Sequence, residues 1–288
     1  LLARLADALI ESDYDLKSLA KLILVSDVYQ RKAADAGADS QFFAGPQRRR
    51  MTAEQIVDSA FSVVGMTMQT EQLTLDIEGT LPADQFLNFG FPKRSWEFST
   101  LANERDRPSL ALPKVQAITD VLTAFGWRNS RPEPTSAREE DPNLVQPGAL
   151  ANGTLGVWLT RLSNESAMTD LMCKEQPVES LVEELFLRML TRLPTAAEQM
   201  RFVALLSDGY ENRLSKSVLA SLTPDSKRFR YVSWSNHLNT DANVIKVEMQ
   251  ELVRQGPEPT YRLKAQWREK AEDAIWALLN SPESILVP

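Results

Sequence analysis

The sequence predicts a mainly α fold: an irregular multi-helix bundle with long ordered aromatic-rich loops and at most short strands. Apolar residues recur at three- and four-residue intervals through most of the 288 residues, the spacing that lines one face of a helix. Helix start and stop signals bracket those stretches, as in the capping box Thr195-Ala-Ala-Glu198 and the stops Gly65 and Gly209. Strand-like alternation is confined to pieces such as residues 229–234. With 43% hydrophobic residues the chain is long enough for a sizeable core.

Residues 2–12 and 15–26 read as a helical hairpin turned at Asp13-Tyr14-Asp15, with Leu16, Leu19, and Leu22 or Ile23 forming the second apolar face. A helix follows over 53–64, with Ile56, Ala60, and Val63 or Val64 inward, entered through Thr52 and Gln55. Between 67 and 113 the helical period fades. Phe86, Phe89, Phe91, Trp96 and Phe98 become dense there, which predicts a buried aromatic layer rather than a tether. Helical pattern returns over 114–125, then residues 126–147 read as a long polar loop.

Further helices are expected over 150–162, 178–191 and 195–207. Residues 223–240 look irregular, and Asp241 is placed to cap a helix reaching Arg254. The turn Gly256-Pro257-Glu258-Pro259 precedes a last helix with Trp267, Ala271, Ile275 and Leu278 on one face, stopped by Asn280-Ser281-Pro282. Both Trp267 and Trp276 are expected to be buried by it. The domain expectation is one helical domain over 1–288, with 126–147 as the place where it would subdivide. Leu1 falls inside a helical pattern without an initiator methionine, so the chain reads as a fragment lacking the N-terminal part of a larger unit.

The formal charge of −7 disfavours a nucleic-acid binder, whose phosphate affinity requires clustered cations. Arg48-Arg49-Arg50 is the one tight basic cluster, and it falls at the expected helix entrance, where the dipole is unfavourable to cations. No apolar run is long enough to span a bilayer. Cys173 is alone, so this segment has neither an intrachain disulfide nor a Cys-x-x-Cys-His haem attachment, and no cofactor is expected in it.

Candidate site residues are few. His237, the single histidine, can act as a base or hold a structural hydrogen bond. Glu104, Arg105, Asp106 and Arg107 set four charges side by side. They suit an anion clamp through the arginines, a divalent cation through the carboxylates, or an internal salt-bridge network. Arg131, Arg138, Glu139, Glu140 and Asp141 share the 126–147 loop, and paired carboxylates there would serve glycoside hydrolysis at the right separation. Phosphate-loop, dinucleotide and nucleophile-elbow patterns are absent, and no catalytic residue or metal ligand set is assigned. Asn152-Gly-Thr and Asn164-Glu-Ser match glycosylation sequons.

Several phrases, in order, carry a family resemblance. They are Tyr14-Asp-Leu-Lys-Ser-Leu19 leading to Ser26-Asp-Val-Tyr29, Asn103-Glu-Arg-Asp-Arg-Pro108, Gln146-Pro147 with Ala151-Asn-Gly153, Leu185-Phe-Leu-Arg188 through Arg192-Leu-Pro194, Ser233-Trp-Ser-Asn-His237, and Trp276-Ala-Leu-Leu-Asn-Ser-Pro282. The chain resembles the planctomycete-specific domain family, domain of unknown function 1553. Ser284 stands where that family more often has phenylalanine. The resemblance implies no established activity. It does imply a context: the C-terminal helical part of an exported, cell-envelope bacterial protein, in a family often joined to c-type cytochrome modules, with any haem bound elsewhere.

The leading expectation is therefore a non-catalytic helical interaction or scaffold domain whose partners are other domains of the same polypeptide or envelope proteins. Two readings compete with it: a carboxylate-dependent hydrolase acting on polysaccharide, and an electron-transfer accessory that docks a cytochrome module.

Overall fold

A computed structural model describes residues 1–31, 48–71, 73–74, 88–101, 112–127, 141–215, 232 and 237–287. The fold is mainly helical, as the periodicity predicts. Strand among the described residues is limited to two short antiparallel pairs. Two compact units divide the chain: Leu1–Met51 with Ile285–Pro288, and Thr52–Ser284.

The first unit contains the expected hairpin, α1 (Leu2–Glu11) and α2 (Leu16–Leu24). Asp13 and Tyr14 take left-handed backbone, φ 54° and 61°, which reverses the chain within one turn. Asp15 then opens α2: its carboxylate accepts the Lys17 N–H at 2.9 Å and the Ser18 hydroxyl at 2.7 Å. Leu5, Ala8, Leu9 and Leu19 are half-buried, but no residue of either helix is buried. Arg49–Arg50 form strand β1, antiparallel to β4 (Leu286–Val287), and Met51 N–H extends the pairing to Ile285 O at 2.8 Å. These cations therefore lie on extended backbone immediately ahead of the Thr52-capped helix entrance, and the first helical turn itself carries Glu54.

The second unit opens with α3 (Ala53–Val64), whose reciprocal Thr52/Gln55 capping box and left-handed Gly65 stop match the sequence reading. Ile56, Val57, Ala60, Phe61 and Val64 are buried. Strands β2 (Leu73–Thr74) and β3 (Asn88–Gly90) pair, and a 3-10 helix covers Ser95–Leu101. Helix α4 (Pro113–Ala124) has Pro113 in its first turn and no cap from its own N-cap residue. Its cap comes from far along the chain: the buried Glu71 carboxylate accepts N–H bonds from Lys114 at 3.0 and 3.1 Å and from Val115 at 3.1 Å.

Where one helix was expected over 150–162 there are two, α5 (Val145–Asn152) and α6 (Thr154–Thr160), broken at Gly153. Pro147 falls in the first turn of α5, where a missing N–H costs nothing, so the helix begins inside the segment assigned to loop. A Cβ on Gly153 would lie 2.1 Å from Ala149 O, and one on Gly156 would lie 2.1 Å from Leu150 O. Backbone touches backbone at this corner. The result places α6 against α3, α4, α5, α10 and α11, with Leu155, Trp158 and Leu159 buried.

Helix α7 (Ala167–Cys173) was not foreseen, because seven residues are too short for a period to declare itself. Ser166 both caps it, accepting the Met168 N–H at 3.2 Å, and donates to Val64 O at 3.0 Å. Helices α8 (Val178–Leu190) and α9 (Ala196–Ser207) match expectation and pack on each other, with Phe186 edge-on to Phe202 at 4.9 Å. Helix α10 (Ala242–Gln255) starts where expected, but Asp241 makes no side-chain cap bond; its backbone is already helical, which aims the carboxylate away from the free N–H groups.

Helix α11 (Ala265–Leu279) buries Trp267, Ala271, Ile275 and Leu278 as its spacing predicts, and packs on α6, α8 and α9. Trp276 departs from the expectation at 44% exposed. Its ring lies toward the rim while its indole N–H donates to Ala151 O at 3.0 Å, holding the end of α5.

Three charged groups lock this frame. Buried Arg213 donates to Met172 O (2.9 Å), Tyr210 O (3.0 Å) and Lys174 O (2.6 Å), and lies 3.9 Å over the Tyr210 ring. Glu272 accepts the Leu162 N–H at 2.9 Å; burial pushes its carboxyl above the usual range, against the pull of that bond, Arg161 and Arg268. Arg192 forks to Glu198 at 2.9 and 2.7 Å and to Glu283 at 2.7 and 3.1 Å. The Arg192 bonds are the main reason the Glu198 carboxyl titrates at about 2, down from 4.5.

Two outcomes are expected. Ile275→Asp would bury an unpaired charge at a fully enclosed position and lower unfolding stability by about 3–5 kcal/mol; thermal melting unchanged from wild type would refute the anchoring of α11. The folded pKa of Glu198 is depressed, so its clamp contributes fully above about pH 4.5 and is lost as pH falls through about 2. Denaturant midpoints followed over that window should drop, and the drop should be smaller in Arg192→Met, which removes the partner and itself costs about 1 kcal/mol at neutral pH.

Candidate functional site

The outer face of α3 is polar at residues 54, 55, 58, 59 and 62, a spacing that sets them along one side of the helix, opposite its buried stripe. Across from it stand Arg94 and Trp96, at the start of the 3-10 helix. Together Glu54, Gln55, Asp58, Ser59, Ser62, Arg94 and Trp96 line an open cleft of about 400 Å3. The second wall is held firmly. Ser95 and Phe98 are fully buried beneath it, Asp58 Oδ1 accepts the Ser95 N–H at 2.8 Å, and Glu97 Oε2 accepts the Lys93 N–H at 2.7 Å.

Trp96 is 59% exposed, contrary to its expected place in a buried aromatic layer; Phe91 is also exposed. Because Ser95 and Phe98 take the inward positions of this short helix, Trp96 between them is turned outward over the cleft. The lining combines a flat aromatic face with carboxylates, an amide, hydroxyls and one guanidinium. It suits non-covalent recognition. Each of these residues is plain in the sequence, but nothing in the spacing sets residues 94–96 opposite 54–62.

The five residues singled out by sequence fare differently. Glu104, Arg105, Asp106 and Arg107 lie outside the described residues, as do Arg131, Arg138, Glu139 and Glu140. His237 is exposed in the turn before α10, and Asp141 is exposed ahead of α5. Among the described residues no group of three or more His, Cys, Asp or Glu side chains is placed to hold a metal ion, and no helix is long and apolar enough to cross a membrane. Burial pushes the Cys173 thiol up, away from the thiolate form a nucleophile requires.

The phrases that carry the family resemblance fall, where described, on structural joints. Ala151-Asn-Gly153 is the α5–α6 corner, and Trp276 bonds back to it. Arg188 Nε donates to Val63 O at 2.5 Å, satisfying a carbonyl at the end of α3. Arg192 is the fork on Glu198 and Glu283.

A family model described as a protein of unknown function (PSD1, DUF1553) matches residues 1–206, more than two thirds of the sequence. The phrases at 233–237 and 276–282 lie beyond that match. No curated protein and no solved structure matches the chain. By the extent of that match, running from the hairpin through α9, the chain belongs to the family of proteins of unknown function 1553.

Proposed function

We propose that this chain is a non-catalytic helical interaction domain, and that its α1–α2 hairpin docks onto helices from another domain of the same polypeptide. The carrying observation is the hairpin itself. Eleven large apolar side chains between Leu1 and Tyr29 are 38% to 95% exposed. At roughly 100 Å2 per aliphatic side chain, they present a surface at or above the largest apolar patch of a typical monomer, about 300–600 Å2. Helices of ten and nine residues are too short to persist on intrinsic propensity. They need a permanent neighbour.

A neighbour in the same polypeptide meets that need best, because tethering supplies an effective concentration of about millimolar without requiring high affinity. Arg4, Asp7 and Glu11 on α1, and Lys17, Ser18 and Lys21 on α2, form polar edges beside the apolar face, as a docked amphipathic helix pair requires. The structural employment of the family phrases supports the same reading: their polar groups close helix corners. The competing hydrolase reading draws on carboxylates at 104, 106, 139 and 140, outside the described residues, and on Asp141, exposed ahead of α5. By family resemblance we extend the proposal to an exported setting with any haem carried elsewhere in the polypeptide; recovery of the full-length product solely in the cytoplasmic fraction would overturn that extension.

Hydrogen exchange on the full-length protein tests the docking. Amides of residues 2–24 should exchange at least about tenfold more slowly there than in this chain alone. Leu16→Asp should abolish that protection while leaving the melting of the Thr52–Ser284 unit unchanged. Equal, rapid exchange in both contexts would contradict the proposal. Protection that appears in this chain alone with rising concentration would assign the face to a second copy instead.

A further inference from the structure

We infer that the turn at Asp13-Tyr14 is a hinge, and that α1 and α2 open into one continuous helix over residues 2–24 when they take a single amphipathic partner helix. The existence of such a partner rests on the hairpin docking reading; the open form in which the segment docks goes beyond it.

The apolar positions carry one register across the turn. Leu2, Leu5, Leu9, Ser12, Leu16, Leu19 and Ile23 follow one another at alternating intervals of three and four residues, the repeat that keeps a seam facing a partner helix. Two helices joined by an arbitrary turn have no reason to share one phase. Here the phase passes through Ser12-Asp13-Tyr14-Asp15 without a skip, and Ser12 is the one polar residue on the seam. The turn contains neither glycine nor proline, so its side chains do not break a helix.

The closed turn is strained. Helix α1 ends in a Schellman motif, in which the Asp13 N–H donates to Ile10 O at 3.1 Å and the Tyr14 N–H to Leu9 O at 2.8 Å. That motif needs one left-handed residue, most often glycine. Here two consecutive residues with side chains, Asp13 and Tyr14, hold φ of 54° and 61°. In return the closed form gains the Asp15 cap on α2 and shelters Leu5, Leu9, Ser12 and Leu19, which are half-buried. It leaves the other three seam positions outside: Leu2 is 84% exposed, Leu16 70% and Ile23 38%. One straight helix would relieve both left-handed residues and exceed the roughly 12–15 residues below which isolated helices are marginal.

The straight form sets the chemistry of the partner. A single seam takes one helix with its own three-and-four apolar repeat. Asp13 and Asp15 would flank the seam at its middle, on either side of the Ser12 to Leu16 step, so the partner carries Lys or Arg opposite them. Ala6, Ala8 and Ala20 hold the equivalent flanking positions elsewhere and permit close approach. A second copy laid antiparallel along the full seam would instead bring acidic residues together at that middle.

Electron-spin distances between labels at Arg4→Cys and Lys21→Cys, both off the seam, test this in the full-length protein carrying Cys173→Ser. A straight helix separates these Cα atoms by about 25 Å, whereas packed helices of a hairpin lie about 8–10 Å apart. The longer distance is expected in the full-length protein and the shorter one in this chain alone, with amides of residues 2–24 protected only in the former. Asp13→Gly combined with Tyr14→Gly relieves the closed turn and weakens the straight helix, and should lower the long-to-short ratio at least about tenfold. A ratio unmoved by that double variant overturns the hinge. The short distance with protected amides overturns the opening and leaves docking intact; unprotected amides overturn both. A long distance that grows with concentration in this chain alone overturns the partner assignment in favour of a second copy.

Discussion

The contact on which the larger unit depends is the approach of backbone to backbone where α5 ends and α6 begins. The carbonyl oxygens of Ala149 and Leu150 occupy the space that side chains at 153 and 156 would need. With hydrogen in place of Cβ, the chain turns within one residue and inserts α6 among α3, α4, α5, α10 and α11. A seven-residue helix could not persist alone. Here it is held by burial of Leu155 and Leu159 and by the Trp158 indole, which donates to Val253 O at 2.7 Å at the end of α10. Trp276 closes the arrangement from the other side by bonding to Ala151 O, so α11, α5 and α6 meet at one corner.

From that corner the remaining interactions read as a sequence of locks on helix ends. Glu71 caps α4, Ser166 joins α7 to the end of α3, Arg213 gathers the Met172 and Lys174 carbonyls at the end of α7, and Arg192 ties α9 to the segment after α11. Free N–H and C=O groups at helix termini must be satisfied. In a fold of many short helices there are many such termini, so much of its polar chemistry is committed to closing them. The proposed interaction role is consistent with that commitment. Among the described residues, the exposed apolar face of the hairpin in one unit and the outward-turned Trp96 in the other stand apart from these locks.

Legibility in the sequence follows from the range of the deciding interaction. The helices α3, α8, α9 and α11 were readable because their caps and apolar stripes are local: Thr52 with Gln55, Thr195 with Glu198, Trp267 with Ala271, Ile275 and Leu278. The break at Gly153 was hidden because the apolar pattern runs straight through it, and the reason for the break is a carbonyl contact rather than a propensity. Glu71 as the cap of α4 is 43 residues from Lys114, a partnership no spacing rule reveals. Trp96 was assigned to the interior by its aromatic neighbours, although in a short helix the inward places go to Ser95 and Phe98. The cleft was therefore invisible for the same reason as the corner: both are made by elements meeting, not by any one of them.

The corner is tested most directly by the stability of Gly156→Ala, measured as the shift in the urea midpoint and in Tm. Helix propensity alone would favour alanine by about 1 kcal/mol. A methyl group 2.1 Å from Leu150 O must instead displace α5 or α6, and the expected result is destabilisation of about 2–4 kcal/mol. A variant as stable as the wild type, or more stable, would contradict the account.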